Sequence, residues 1–382
     1  MPTVFVPKET LPGETRVVAT PESVKQFVKR GLAVEVETGA GAKSHFPDES
    51  YEEAGASIVP GSDATWGKAD LVLKGRPPTA EQVGAMHEGA ILVSFVEPSK
   101  HLALVGRLRE RGITCLAIDH MPRISRAQSM DVLSSQATVG GYKAVLLGAS
   151  HLGKLCPLLM TAAGTILPAR VVVFGAGVAG LMAIATARRL GCVVEATDVR
   201  LAVKEQVESL GARFIDVPGM EDMEDERGYA KEATKEFLER QREEVAKRVA
   251  EADMVITTAQ VPGRKAPLLV TAEMVRSMRP GSVIVDMAVE SGGNCELSEL
   301  DKVVVVHDVT IIGIANIPTT VPLHASELYA RNVLELCKLF ITDEGELKFD
   351  WEDEVLAGCR LTHAGEVFHE PTAAALAGGV QG

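Results

Sequence analysis

Residues 171–200 read VVVFGAGVAGLMAIATARRLGCVVEATDVR, and this stretch decides the fold. Val171, Val172, Val173 and Phe174 form an apolar run without alternation, the pattern of a strand buried on both faces of a parallel sheet. Gly175, Gly177 and Gly180 follow directly. At this spacing the first glycine permits a tight turn, the second removes the Cβ that would block a pyrophosphate, and the third lets the next helix press on the sheet. That helix is read over 181–190, with its N-terminus facing the phosphates. Gly191 stops it and residues 192–196 form a second strand. Asp198 ends that strand, where a carboxylate accepts both adenosine-ribose hydroxyls and repels a 2′-phosphate, so NAD is expected over NADP. Glycines cluster in many surface turns, and a bare GxGxxG carries little weight. The strand before, the helix after and the acid beyond turn it into a dinucleotide site.

Composition agrees with a cytoplasmic α/β enzyme. The 382 residues suffice for two or three domains, each with its own core. The net charge of −13 is spread along the chain, which argues against nucleic acid as a partner. Six cysteines (Cys115, Cys156, Cys192, Cys295, Cys337 and Cys359) show neither a CxxC pair nor zinc spacing, so no metal is expected and they read as free buried thiols. No basic-then-apolar signal segment opens the chain. The most apolar stretch, 155–187, is broken by Pro168, Arg170 and the glycine turn, and reads as core rather than a membrane span.

Ahead of the dinucleotide unit lies a second series. Short apolar runs at 4–6, 34–37, 57–59, 70–74, 91–95 and 114–117 alternate with helical stretches. One helix starts cleanly, with Thr20 as N-cap, Pro21 at the first helical position and Glu22 at the positive end. Regular alternation of this kind implies a parallel sheet covered by helices on both faces. After Arg200 the strands 213–215, 254–258, 282–286 and 303–306 complete the nucleotide-binding sheet. The fold class expected is α/β, with two Rossmann-like doubly wound parallel-sheet domains separated by a cleft. The first is discontinuous, 1–133 with 323–382, because the helix 325–340 is followed by no further complete strand-helix series and returns to cover it. The second is 134–322, and within it the acidic segment VPGMEDMEDERG, 217–228, reads as either a solvated loop or a functional lid ahead of a charged helix 229–252.

A second candidate site is MPRISRAQSMDVLSSQ, 121–136. Ser125 followed by Gln128 reads as a capping box that starts a helix, on which Gln128, Asp131 and Ser134 share one side, with Arg123 just before the cap. Spacing alone also fits a capped, solvated helix face with an Arg-Asp pair.

These segments, together with VPKETLPGETRVVATPESV, MTAAGTILPARVVVFGAGVAGL, ATDVRLAVKEQVESLGA, RGYAKE and VIVDMAVESGGNCELSE, resemble over nearly the whole chain the NAD(H)-binding component, domain I, of proton-translocating nicotinamide nucleotide transhydrogenase. The fold is shared with alanine dehydrogenase, a relative of that family. The resemblance implies that Arg123, Gln128, Asp131 and Ser134 surround the nicotinamide and its ribose, and that Tyr229 belongs to a mobile loop, about 217–231, that closes over bound nucleotide. It places further nucleotide contacts at Ile124, Ser125, Ala176, Val178, Val199, Arg200, Gly228, Gln241 and Gln260, besides the glycines and Asp198. Gln260 stands where the family has leucine after the Thr257-Thr258-Ala259 run.

The resemblance further implies a homodimer that receives NADP(H) on a partner subunit. Membrane-spanning partner subunits would carry proton translocation and leave this chain peripheral, on the cytoplasmic side of the inner (plasma) membrane, with no direct insertion. An alanine dehydrogenase-like amino-acid dehydrogenase is the alternative, and a non-catalytic NAD-sensing module a third. The alternative needs a carboxylate-binding arginine and lysine, which Arg16 and Lys74 resemble, and also an acid/base histidine and a late aspartate. Residues 91–100, ILVSFVEPSK, hold no histidine, and Glu290 takes the aspartate position. Amine oxidation with imine hydrolysis needs proton transfers, whereas hydride transfer between two nicotinamides moves no proton at the reacting carbons.

Overall fold

The structure is a computed structural model that describes residues 1–216, 235–260 and 265–378, with the backbone alone over 235–242. The acidic segment 217–228, with Gly228, and Tyr229 lie outside the described residues. Gln241 lies on the helix Lys235–Glu251, where its side chain is likewise outside the description.

In chain order the first strands are β1 (Thr3–Val6), β2 (Ala33–Glu37), β3 (Ser57–Val59), β4 (Leu71–Lys74), β5 (Ile91–Ser94) and β6 (Thr114–Ala117). A hairpin of β7 (Leu159–Thr161) and β8 (Gly164–Ile166) follows. Next come β9 (Arg170–Phe174), β10 (Val193–Thr197), β11 (Arg213–Phe214), β12 (Met254–Thr257), β13 (Val283–Asp286), β14 (Lys302–Val306) and β15 (Val309–Gly313). The last strands are β16 (Arg360–His363) and β17 (Glu366–Val367). The chain divides into two compact units, 1–136 with 319–382, and 137–318.

The first unit holds an eight-stranded sheet in the order β17-β16-β6-β5-β4-β1-β2-β3, parallel except for β16 and β17. β1, β4, β5 and β6 are legible in the sequence because they are buried on both faces, whereas β16 and β17 are not expected from it. Val4, Val6, Leu71, Leu73, Val93 and Leu116 enter one core with Tyr329, Val333 and Phe340. Phe5, Val72, Leu92 and Cys115 enter the other with Trp66, Val105 and Leu108. The side chains alternate and both destinations are apolar, so the sequence shows an unbroken run. The returning helix Pro322–Cys337 completes the first of these cores.

The second unit holds a seven-stranded sheet, β11-β10-β9-β12-β13-β15-β14. Val171 and Val173 pack with Ala183, Ile184 and Ala187 of the helix Val178–Arg189, while Val172 and Phe174 pack with Val245 and Val249 of Lys235–Glu251. At about 1.5–3 kcal/mol per fully buried valine, β9 anchors both faces at once. β14 corrects the sequence reading, since it pairs antiparallel with β15 rather than joining the parallel series. The turn between them, His307 and Asp308, has φ of 53° and 61° and so lacks the glycine that marks such hairpins.

The stretch 155–187 is also not uniformly core. Part of it forms β7 and β8, where Met160 is 74% exposed, with Leu158 and Leu167 beside the two strands 53% and 69% exposed. No helix among the described residues is long and apolar enough to cross a membrane. All six cysteines are free, and five are buried.

Candidate functional site

In the second unit β9 neighbours β10 on one side and β12 on the other, so the strand order reverses at its carboxyl end, where open α/β sheets bind ligands. Gly175 sits there at φ +92°, and its N–H donates to Thr197 O at 2.8 Å. A Cβ on Gly175 would lie 2.6 Å from Thr258 Oγ1, and one on Gly180 only 1.8 Å from Gly175 O. Neither position admits another residue. A Cβ on Gly177 would meet nothing closer than Arg200 Nη2 at 3.9 Å, which leaves the surface of the turn open to a phosphate. The helix starts at Val178, earlier than the sequence reading, with Gly177 as an N-cap that offers no side-chain acceptor. Its first amides therefore face outward as an anion site, flanked by Ala176 and Val178.

Asp198 stands at the end of β10. Its Oδ2 accepts from Ala176 N at 2.7 Å, so the acid is tied to the glycine turn itself. Burial would raise this carboxyl, but the Arg200 guanidinium and the amides of Ala176 and Arg200 override it and hold the group below the usual carboxylate range. Val199 is half-buried beside it.

Behind the turn is a support the sequence reading missed. Asp286, fully buried at the end of β13, accepts from Thr257 Oγ1, Ala288 N, Asn294 N, Cys295 N and Ser298 Oγ. Asn294 accepts from Ala259 N and donates to Ala259 O, which fixes the segment after β12. Thr258 Oγ1 donates to Phe174 O and lies 3.2 Å from Gly175 O. Gln260 is exposed and donates to Met287 O at 2.8 Å. The signal is present in the sequence: an aspartate closing the apolar run 283–286 is a buried charge in need of donors. A second missed signal is Gly140-Gly141 inside the helix Val132–His151, where two glycines are costly. A Cβ on Gly141 would lie 2.1 Å from Ala179 O, so this helix crosses directly against the start of Val178–Arg189.

The 123–134 segment differs from its sequence reading. Ser125–Met130 is a 3-10 helix whose N-cap is Ile124, and Ser125 makes no cap hydrogen bond. The expected capping box is absent there, and the helix expected from Ser125 starts at Val132 instead. Asp131 starts it, accepting from Ser134 N at 2.9 Å and Ser134 Oγ at 2.6 Å. Gln128, Asp131 and Ser134 therefore do not share one continuous helix face. Two ties hold the short helix in place, Asn332 Nδ2 to Ser129 O and the Arg126–Asp353 ion pair. Gln128 is exposed on it, and Arg123 is exposed just before it.

Arg16 and Lys74 are both engaged by carboxylates of the chain. Arg16 donates through Nε and Nη2 to Glu14 and through Nη1 to Gln136 Oε1. Lys74, 2% exposed, pairs with Glu9 at 2.8 Å. Glu14 would be raised by burial, but Arg16 holds it below the ordinary value. Glu290 is exposed in the short turn Val289–Ser291.

The strand order, the Cβ-free turn and the buried acid at the end of β10 define a dinucleotide-binding Rossmann domain. The family model for the alanine dehydrogenase/PNT N-terminal domain matches residues 5–140, and that for the C-terminal domain matches 144–370. The chain belongs to this family, whose members named below are oxidoreductases, and NAD(H) is its nucleotide.

It is 48% identical over 374 residues to the first portion of NAD(P) transhydrogenase subunit alpha of Rhodospirillum rubrum, covering 96% of this chain and 97% of that one. The crystal structure of transhydrogenase from Sinorhizobium meliloti superimposes with a TM-score of 0.86 at 44% identity, covering 96% of this chain and 99% of that one. Alanine dehydrogenase of Bacillus subtilis is more distant, 31% identical over 380 residues, 97% of this chain and 93% of that one.

Proposed function

We propose that this chain is the NAD(H)-binding component of a proton-translocating transhydrogenase. NAD(H) held at the glycine turn and Asp198 would exchange a hydride at its nicotinamide C4 with NADP(H) bound by a partner subunit. Gln128 would hold the carboxamide and ribose, Arg123 and Asp131 would fix the ring, and Ser134 would complete the ribose contact. Ile124, Ser125, Val199, Gly228, Gln241 and Gln260 would flank the nucleotide, and Tyr229 would close over it. Such groups orient without covalent chemistry, and orientation alone can supply several kcal/mol of barrier reduction. Membrane-spanning partners would place the chain peripherally on the cytoplasmic side of the inner membrane.

The observation that carries the reading is the state of the two cations a carboxylate substrate would need. Both Arg16 and Lys74 are buried against Glu14 and Glu9, and residues 91–100 hold no histidine for proton transfer. A homodimer is supported by the β7-β8 hairpin, since a two-stranded hairpin is marginal by itself and Leu158, Met160 and Leu167, at and beside it, are exposed. One feature favours the amino-acid dehydrogenase reading instead. A cavity of about 420 Å³ in the first unit is lined by Lys74, Arg76, Arg107 and His101, which would suit a small carboxylate.

The test is transfer from NADH to an NADP analogue, with and without an NADP(H)-binding subunit. Transfer is expected only with that subunit present. Substituting Arg123 or Gln128 should cut transfer far more than NADH affinity, because the adenosine half is held elsewhere. Brisk oxidation of L-alanine by the chain alone would overturn the proposal in favour of the second reading.

A further inference from the structure

The Asp198 carboxylate is surrounded by four donors. Oδ1 accepts from Arg200 N and Arg200 Nε, both at 2.9 Å. Oδ2 accepts from Ala176 N at 2.7 Å and Arg200 Nη2 at 2.8 Å. An ionised carboxylate offers about four lone-pair sites, so these four donors saturate it. A ribose diol must bring two more. The Ala176 and Arg200 amides belong to the backbone of the turn and stay. The two guanidinium donors belong to one planar group and leave together, which frees one acceptor place on each oxygen, as a vicinal diol requires.

The same guanidinium has somewhere to go. Arg200 Nη2 lies 3.9 Å from the Cβ position of Gly177, the point of the turn that a pyrophosphate approaches. Arginine matches phosphate oxygens as well as carboxylate oxygens. Asp198 and Arg200 are largely buried, so the exchange takes place out of bulk water, where charge-assisted hydrogen bonds count for most.

We propose that Arg200 is a specificity-determining guard of the adenosine site. It occupies Asp198 until the ribose hydroxyls displace it, and then pairs with the pyrophosphate. This rests on Asp198 being the ribose acceptor. The exchange makes binding selective for ligands that carry both parts. A nucleoside must break the ion pair and gives the guanidinium no new partner, whereas a dinucleotide supplies one. It also explains how an arginine beside the ribose is compatible with NAD preference: Asp198 holds the guanidinium before binding and the pyrophosphate holds it afterwards, away from a 2′-phosphate.

The test measures Kd by calorimetry for adenosine, 2′-deoxyadenosine, NADH and NADPH on the full chain, for the unmutated protein, Arg200→Met, Asp198→Ala and the double variant. Arg200→Met should bind adenosine about tenfold tighter, the scale of one charge-assisted hydrogen bond no longer broken, and should bind NADH no tighter. 2′-Deoxyadenosine, which lacks one of the two hydroxyls, should gain much less. Asp198→Ala should gain NADPH affinity, and the double variant should lose that gain.

Parallel weakening of adenosine and NADH in Arg200→Met would mean that Arg200 only orients Asp198 and would overturn the proposal, as would unchanged adenosine affinity. Failure of the unmutated chain to bind NADH would instead remove the Asp198 reading itself. Thermal melts accompany each variant, and Arg200→Gln, which keeps a donor without the charge, replaces the methionine variant if that melts early.

Discussion

Both sheets place their strands in the same order, β3-β2-β1-β4-β5-β6 in one and β11-β10-β9-β12-β13-β15 in the other, and each therefore has a crevice where the order reverses. In the second unit the chain leaves β9 through Gly175, Ala176 and Gly177, and the crevice is lined by backbone amides and one acid. In the first unit the chain leaves β1 through Pro7, Lys8 and Glu9, and the crevice is lined by charged side chains that pair with one another. Glu9 pairs with Lys74 and accepts from Gly75 N, and Tyr329 Oη donates to Gly75 O. Arg16 lies over the Tyr329 ring at 5.9 Å. Identical topology thus gives an open backbone turn where Cβ atoms are missing and a buried ion-pair cluster where charged side chains take that place. Function resides in the residues at the crevice and not in the strand order.

Lys74→Met is the sharpest way to break this contrast. It strands a buried carboxylate and should cost about 3–5 kcal/mol in chemical denaturation, while the Glu9→Leu/Lys74→Met double variant should recover most of that. Equal losses in the single and double variants would show that the two charges do not compensate each other there. Next in size is Gly180→Ala in the other crevice. Its Cβ would fall 1.8 Å from Gly175 O, and the backbone shift this forces should cost about 3 kcal/mol and abolish tight ADP binding. Retention of ADP affinity would refute the close packing at the turn.

The smallest effect is in pH. His120 and His363, both in the first unit, are pushed below the ordinary histidine value, His120 by burial and His363 by burial and the Arg360 charge. Between that lowered value and about 6.5 the unfolded chain takes up protons that the folded one refuses, so stability present above pH 6.5 is lost as pH falls. Asp198 in the second unit is lowered instead from the carboxylate range, and its contribution persists until far lower pH. Hydrogen exchange at about pH 7.5 and about pH 5.5, either side of that range, should therefore show the first unit loosening selectively, and His120→Phe should reduce the change. Equal loosening of both units would contradict this difference.

The interior is more legible in the sequence than the edges. β9, β12 and β13 show as unbroken apolar runs because helices cover both faces, and the glycine turn shows because only glycine fits at 175 and 180. β15 is hidden by a turn of histidine and aspartate at positive φ, and β7 and β8 by an apolar composition indistinguishable from core when read without partners. At the candidate site, the Asp198 position follows from strand length, but its ion pair with Arg200 does not, because the two are only two residues apart and local spacing does not say which way a guanidinium folds. The Ser125 cap fails because Asp131, six residues on, is the stronger acceptor and caps the true helix start at Val132.

The path of the chain has a further consequence for how the protein is made. β6 lies against β16, with Leu116 opposite Arg360, and Val17 N donates to Ser326 Oγ across 309 residues of sequence. Residues 1–136 thus wait for 319–382, while 137–318 leaves the ribosome between them. During that interval the β6 edge and the core face that Tyr329, Val333 and Phe340 will cover stay exposed on the nascent chain. Loop closure over such a separation is slow but adds little to the equilibrium cost, since that cost grows only logarithmically with length. Truncation before Pro322 would therefore deprive the N-terminal residues of their core, although every one of those N-terminal residues is still present.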